Sequence, residues 1–124
     1  MTGRELAGRI DAWVVAVWAF SRPLLNAIEW RDSILQLRRS SSGAGANYGA
    51  AVFARSHADF TSKVGIALEE MEESWRWLRL LRDAMDDPPR DLAPLIDEAR
   101  QLTAILAASH QTARRNRRAS GAKR

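Results

Sequence analysis

Two short stretches concentrate the ionisable side chains of this sequence. One is acidic, Glu69, Glu70, Glu72 and Glu73; the other is basic, Arg114, Arg115, Arg117 and Arg118. Carboxylates projecting into a helical bundle can hold a pair of iron or manganese ions, but that chemistry needs a Glu-x-x-His pair on each of two helices. Neither histidine supplies one, because Ala54 stands three residues before His57 and Ala107 three before His110. Only Glu72 has a basic residue four positions on, Arg76, and such a pair contributes a few tenths of a kcal/mol. The acidic run therefore reads as a solvated, ion-paired face or a contact between subunits. Ser40, Ser41 and Ser42 would be nucleophiles only beside a histidine and an acid. Glycine-rich phosphate loops, HExxH and calcium-loop patterns are absent. The expectation is a protein that is not an enzyme, with no catalytic residue, no metal and no cofactor.

The basic run offers a different chemistry. Residues 114–124 hold Arg114, Arg115, Arg117, Arg118, Lys123 and Arg124 and no acid. Of the 19 basic side chains this leaves 13 for the other 113 residues, against 15 acidic ones, so the body is mildly acidic and the high isoelectric point belongs to the tail. Arginines that neutralise phosphates give salt-sensitive affinity for RNA or DNA regardless of sequence. These six residues are the candidate nucleic-acid contacts, with a solubilising, dipole-complementing helix end as the plainer reading. The five tryptophans point elsewhere. Trp13 and Trp75 fit a core stripe, whereas Trp75 and Trp77 lie roughly 200° apart on a helix and should not share one core. Tryptophan is enriched in interfaces, so Trp18, Trp30 and Trp77 are candidate contacts with a second copy or another protein.

Helices must position these residues. Residues 4–21 place Leu6, Ile10, Trp13, Val14, Val17 and Phe20 on one face, and Pro23 closes that helix. A second helix is expected from Leu24 to about Arg55 through Ile28, Ile34, Leu37, Ser41, Ala44, Tyr48 and Val52. Its Ser40–Ala46 segment has loop composition, but the spacing of the stripe survives it, favouring a helix of small side chains over a flexible linker. A long central helix runs from Ser56 to Met85, with a stripe of Phe60, Val64, Leu68, Met71, Trp75, Leu78 and Met85, an N-cap at Ser56 and an end at Asp86-Asp87-Pro88-Pro89. A fourth is expected from about Asp91 to Arg115, with Pro94 tolerated in its first turn and a fraying tail beyond Asn116. Four helices joined by short connections make an all-α, antiparallel up-down-up-down four-helix bundle over 1–117, followed by a basic tail over 118–124. The longest apolar run, Ala12–Phe20, is too short to span a bilayer, no signal peptide is evident, and cysteine is absent, so the cytoplasm is the expected location.

Several segments resemble, in order, the bacterial four helix bundle protein family, which includes proteins encoded in intervening sequences of large-subunit ribosomal RNA genes. They are Arg38-Arg39-Ser40 leading to Gly45-Ala46-Asn47-Tyr48, then Ala54-Arg55-Ser56-His57-Ala58-Asp59-Phe60 and Lys63 to Gly65. Leu68-Glu69-Glu70 with Glu73-Ser74 follows, and Glu98 to Thr112 with Leu102-Thr103-Ala104-Ile105 completes the set. Ala50 stands where many members carry an acidic residue. The resemblance implies an antiparallel bundle in which the Gly/Ser stretch is helical. It further implies a homo-oligomeric ring, since members and the similar accessory variability determinants of diversity-generating retroelements form pentamers. The latter bind a reverse transcriptase and nucleic acid through a basic surface. An RNA-binding or ribonucleoprotein accessory role is the function this implies, with a protein-interaction module lacking nucleic-acid binding as the alternative.

Overall fold

The computed structural model describes residues 1–122, excluding the side chains of 117 and 119–122. Among these residues there are four α-helices and no strand: α1 Gly3–Ser21, α2 Arg31–Val52, α3 His57–Ala84 and α4 Leu92–Ala122. Side-chain contacts run in opposite directions along each neighbouring pair. From α1 to α4, Arg9 meets Glu98 and Trp13 meets Leu95; from α2 to α3, Ser40 meets Ser74 and Gly43 meets Glu70. Gly3 packs beside Val52 and Gly45 beside Ile10, while His57 meets Ala113 and Gly65 meets His110. Neighbours are therefore antiparallel, and α1 touches α2 and α4 but not α3, consistent with an up-down-up-down bundle.

The caps follow the side chains at the helix starts. Thr2 accepts from the Glu5 amide and Ser56 from the Asp59 amide, both at 3.1 Å, each satisfying one of the free N–H groups of a first turn. The segment Ser40–Ala46 is helical throughout. Ser40, Ser41, Ala44, Gly45, Tyr48 and Ala51 are buried along α2, and opposite them α3 buries Ala67 and Ser74 between Val64, Met71 and Leu78. Ser40 and Ser74 meet at 2.7 Å in the core. The Ser74 hydroxyl also reaches the Glu70 carbonyl at 2.9 Å and the Ser40 hydroxyl the Leu37 carbonyl at 3.2 Å, so one hydroxyl donates across the contact while the other donates to a carbonyl of its own helix. Small residues thus bring α2 and α3 together over the most extensive of the helix contacts.

Four expectations need correction. Helix two does not start at Leu24: Pro23 lacks the N–H that would continue α1, the chain tightens into a 3₁₀ turn over Arg22–Asn26, and Ala27 turns extended before α2 begins. Ile28, expected in the stripe, is consequently 96% exposed in this connection. Helix two also stops at Val52 rather than Arg55, leaving Phe53 74% exposed at the corner. The buried stripe of α3 is centred on Ala67 and Ser74, with Phe60, Leu68 and Trp75 on its flanks. Finally, α4 does not end near Arg115 but is helical to Ala122.

Candidate nucleic-acid interface

Antiparallel register decides what α4 presents at its C-terminal end. The pairs Arg9–Glu98 and Trp13–Leu95 place the first residue of α1 level with about Ala104, since both helices rise ~1.5 Å per residue. The last eighteen residues of α4, Ile105–Ala122, thus extend past α1, covered only on the side where α3 packs. On that side His110, Arg114 and Arg118 follow one another at intervals of four and so share a face. With Thr61, Ser62, Gly65, Ile66 and Glu69 of α3 they line a surface groove of about 640 Å³. A smaller concavity of about 230 Å³, lined by Ala107, Gln111 and Arg115 with the same three residues, continues it around α4.

Gly65 makes the inner wall possible. A Cβ at this position would stand 2.9 Å from His110 Nε2, closer than a methyl group and a ring nitrogen tolerate, so the imidazole lies against bare backbone. His57, about two turns before Gly65 on α3, bonds through Nε2 to the Ala113 carbonyl at 2.8 Å, and Thr61 donates to the His57 carbonyl at 2.8 Å. These contacts fix α4 against the start of α3. Arg114, Arg115 and Arg118 are exposed and take part in no ion pair among the described residues. The side chain of Arg117, and the whole of Lys123 and Arg124, lie outside the described residues.

The acidic run is divided by helix geometry. Glu69 faces the basic groove, whereas Glu70 and Glu73 turn to α2, where Arg39 lies 3.9 Å from one and 2.9 Å from the other. Glu70 packs over Gly43, and its Oε2 is buried without a partner; desolvation and the neighbouring Glu73 raise its pKa above the ordinary carboxylate value. Glu72 and Arg76, the pair expected from spacing, make no ion pair among the described residues. No group of three or more His, Cys, Asp or Glu among those residues is placed to hold a metal ion. The serines are engaged separately, Ser40 with Ser74, Ser41 with the Arg38 carbonyl and Ser42 with the indole N–H of Trp18.

The tryptophans divide differently from the sequence expectation. Trp13 is buried and donates to the Leu95 carbonyl at 3.2 Å. Trp18 is 40% exposed between α1 and α2. Trp30, Trp75 and Trp77 are half-buried and all pack on the core. Trp75 and Trp77 each adjoin a buried residue of α3, Ser74 and Leu78, and so flank the stripe from opposite sides. The guanidinium of Arg79 covers Trp75 at 4.3 Å from the ring centroid. The groove between α1 and α4, about 470 Å³ and lined by Ala12, Trp13, Ala16, Ala19, Pro94 and Leu95 with Arg9 closing on Glu98, carries no sequence signature beyond alanines off the main stripe.

The molecule is thus an antiparallel four-helix bundle with a basic α3–α4 arm. No helix among the described residues is long and apolar enough to cross a membrane. A crystal structure of a protein of unknown function from the S23 ribosomal protein family of Bacteroides thetaiotaomicron has the same fold. Its TM-score is 0.79 at 24% identity, over 90% of this chain and 99% of the other. No family model and no curated protein matches the chain.

Proposed function

We propose that this protein is a non-enzymatic accessory protein that binds RNA, or a ribonucleoprotein such as a reverse transcriptase complex, through the basic arm of α4. The observation carrying the reading is the exposed set Arg114, Arg115 and Arg118, unengaged by acids, on a helix that continues past α1 beside an open groove. Arginines carried on a helix lose less backbone freedom on meeting phosphates than arginines on an irregular tail. Arg117, Lys123 and Arg124 add to the same basic segment by position. The S23 ribosomal protein name of the structural neighbour agrees with a role near RNA. A ring-shaped homo-oligomer working in the cytoplasm completes this reading, with Trp18, Trp30 and Trp77 as candidate contacts.

The test is binding of a structured RNA across a salt series by the wild type and by the triple variant Arg114→Gln, Arg115→Gln, Arg118→Gln, with the mass of both measured by light scattering. For three phosphate contacts the slope of log K against log salt should fall by about 2 to 3. The reading fails if the wild type does not bind at low salt, or if the triple variant keeps the full slope. One feature favours a second reading, a protein-interaction module: the α1–α4 groove is open and lined mainly by alanines with Trp13, Pro94 and Leu95. It predicts partner capture that is insensitive to the three arginines.

A further inference from the structure

On the other flank of α4 from the phosphate-facing groove lies a second hollow, of about 320 Å³, between the last turns of α4 and the first turn of α3. It is built from two aromatic rings and three polar side chains. His57 and Phe60 stand with ring centroids 6.4 Å apart, and Ser109, Thr112 and Asn116 line the α4 side. The hollow exists because α1 and α2 end early. Gly3 packs beside Val52 at the close of α2, and α2 meets α3 through Ser40–Ser74 and Gly43–Glu70, so Val52 comes level with about Thr61. The first turn of α3 projects beyond that point, and the apolar side of the arm is left open.

Resting on the nucleic-acid reading above, we propose that this hollow receives an unstacked base of a single-stranded RNA or DNA segment whose phosphates run over Arg115 and its neighbours. Three features support this occupant. The His57 ring is held by its bond to the Ala113 carbonyl, which assigns the hydrogen to Nε2 and leaves Nδ1 of a neutral ring as an acceptor. A half-buried phenylalanine beside a fixed imidazole is a stacking platform, and stacking accepts any base because every base has a π-face. Asn116 offers both a donor and an acceptor to a base edge, and adjoins Arg115 in sequence. A base inside a duplex cannot enter such a hollow, because it would have to leave the stack, so the site selects single strands, loops and bulges.

The experiment is fluorescence anisotropy on the full chain with three ligands: a short single-stranded RNA, an abasic strand with the same number of phosphates, and a duplex of the same length. The wild type should bind the single strand about tenfold or more tighter than the abasic strand. Phe60→Leu keeps an apolar side chain and should bring the single strand down to the abasic level, leaving abasic and duplex affinities unchanged. Asn116→Ala, at an exposed position with no fold to endanger, should cause a smaller loss confined to the single strand. Equal binding of single and abasic strands, with both variants silent, overturns the base site while leaving the phosphate reading intact. Failure of the wild type to bind any of the three overturns both.

Discussion

Replacing Gly65 by alanine tests the close approach that shapes the basic groove. In an exposed helix interior Gly→Ala stabilises by about 1 kcal/mol, because glycine loses more backbone freedom on folding. Gly49 supplies that reference, since it lies within α2 and a Cβ there would meet nothing within 4 Å. At Gly65 the same methyl would stand 2.9 Å from His110 Nε2 and 3.5 Å from two ring carbons, so the imidazole must move or strain, at about 1 to 3 kcal/mol for an overpacked contact. Gly49→Ala should therefore raise stability by about 1 kcal/mol, and Gly65→Ala should leave it unchanged or lower it by up to about 2 kcal/mol. In a His110→Ala background the obstacle is gone, and Gly65→Ala should regain the full stabilisation, giving a coupling of about 1 to 3 kcal/mol between the two sites. The assay is urea unfolding followed by circular dichroism, with constant slopes confirming an unchanged unfolding reaction. If Gly65→Ala stabilises as much as Gly49→Ala in the wild-type background, His110 does not lie on Gly65 and the groove is shaped differently.

Ser74→Ala removes the partner of the Ser40 hydroxyl inside the α2–α3 contact but leaves Ser40 within reach of the Leu37 carbonyl; a loss of about 1 kcal/mol is expected from urea unfolding, and a loss above about 3 kcal/mol would mean that Ser40 finds no substitute. Arg9→Met should cost about 1 kcal/mol, because the guanidinium bonds both oxygens of Glu98 and also Gln101 across the sparsest helix contact; an unchanged midpoint would show that the pair adds nothing to the α1–α4 seam. Glu70 gives a pH dependence. Its folded pKa is raised by burial and then by Glu73, so between the unfolded value near 4.5 and the raised folded value the native state binds more protons, and stability falls as pH rises through that window. Glu70→Gln should flatten this part of the stability–pH curve and be more stable than the wild type at pH above it; a parallel curve would assign the titration elsewhere.

What the sequence disclosed follows the physics of each element. Ser56 with Asp59, the prolines after Met85 and the small-residue run of α2 are local signals, and local signals were enough to place caps, an end and a helix. The depth of burial was not local. The large side chains of α3 suggested a stripe through Trp75, but small residues reach deepest where two helices touch, so Ala67 and Ser74 hold the centre and the bulky residues fill the flanks. The same effect puts both Trp75 and Trp77 on the core, which a view of a helix as having one apolar line excludes. The arginines were visible as a charged run, while the hollow formed by His57 and Phe60 was not, because it depends on where α1 and α2 stop relative to α3 and α4.

That difference in helix length also separates stability from the proposed binding. At ~1.5 Å per residue α4 is about 46 Å long and α1 about 28 Å, and the core residues of α4 from Leu92 to Leu106 lie almost wholly within the span α1 covers. Beyond Leu106 the described helix buries only Ala113 among its apolar residues and relies on α3 for its single supporting surface. The arginines on this arm are exposed and make no ion pair among the described residues, so neutralising them should leave stability within about 0.5 kcal/mol of the wild type while changing affinity for polyanions by orders of magnitude. Like charges crowded on one short segment repel one another, and that repulsion is relieved when phosphates arrive. A saturating polyanion should therefore stabilise the wild type and have little effect on the triple glutamine variant. Equal stabilisation of both would locate the anion on another surface, and the lysine and arginines of α3 would be the next to neutralise.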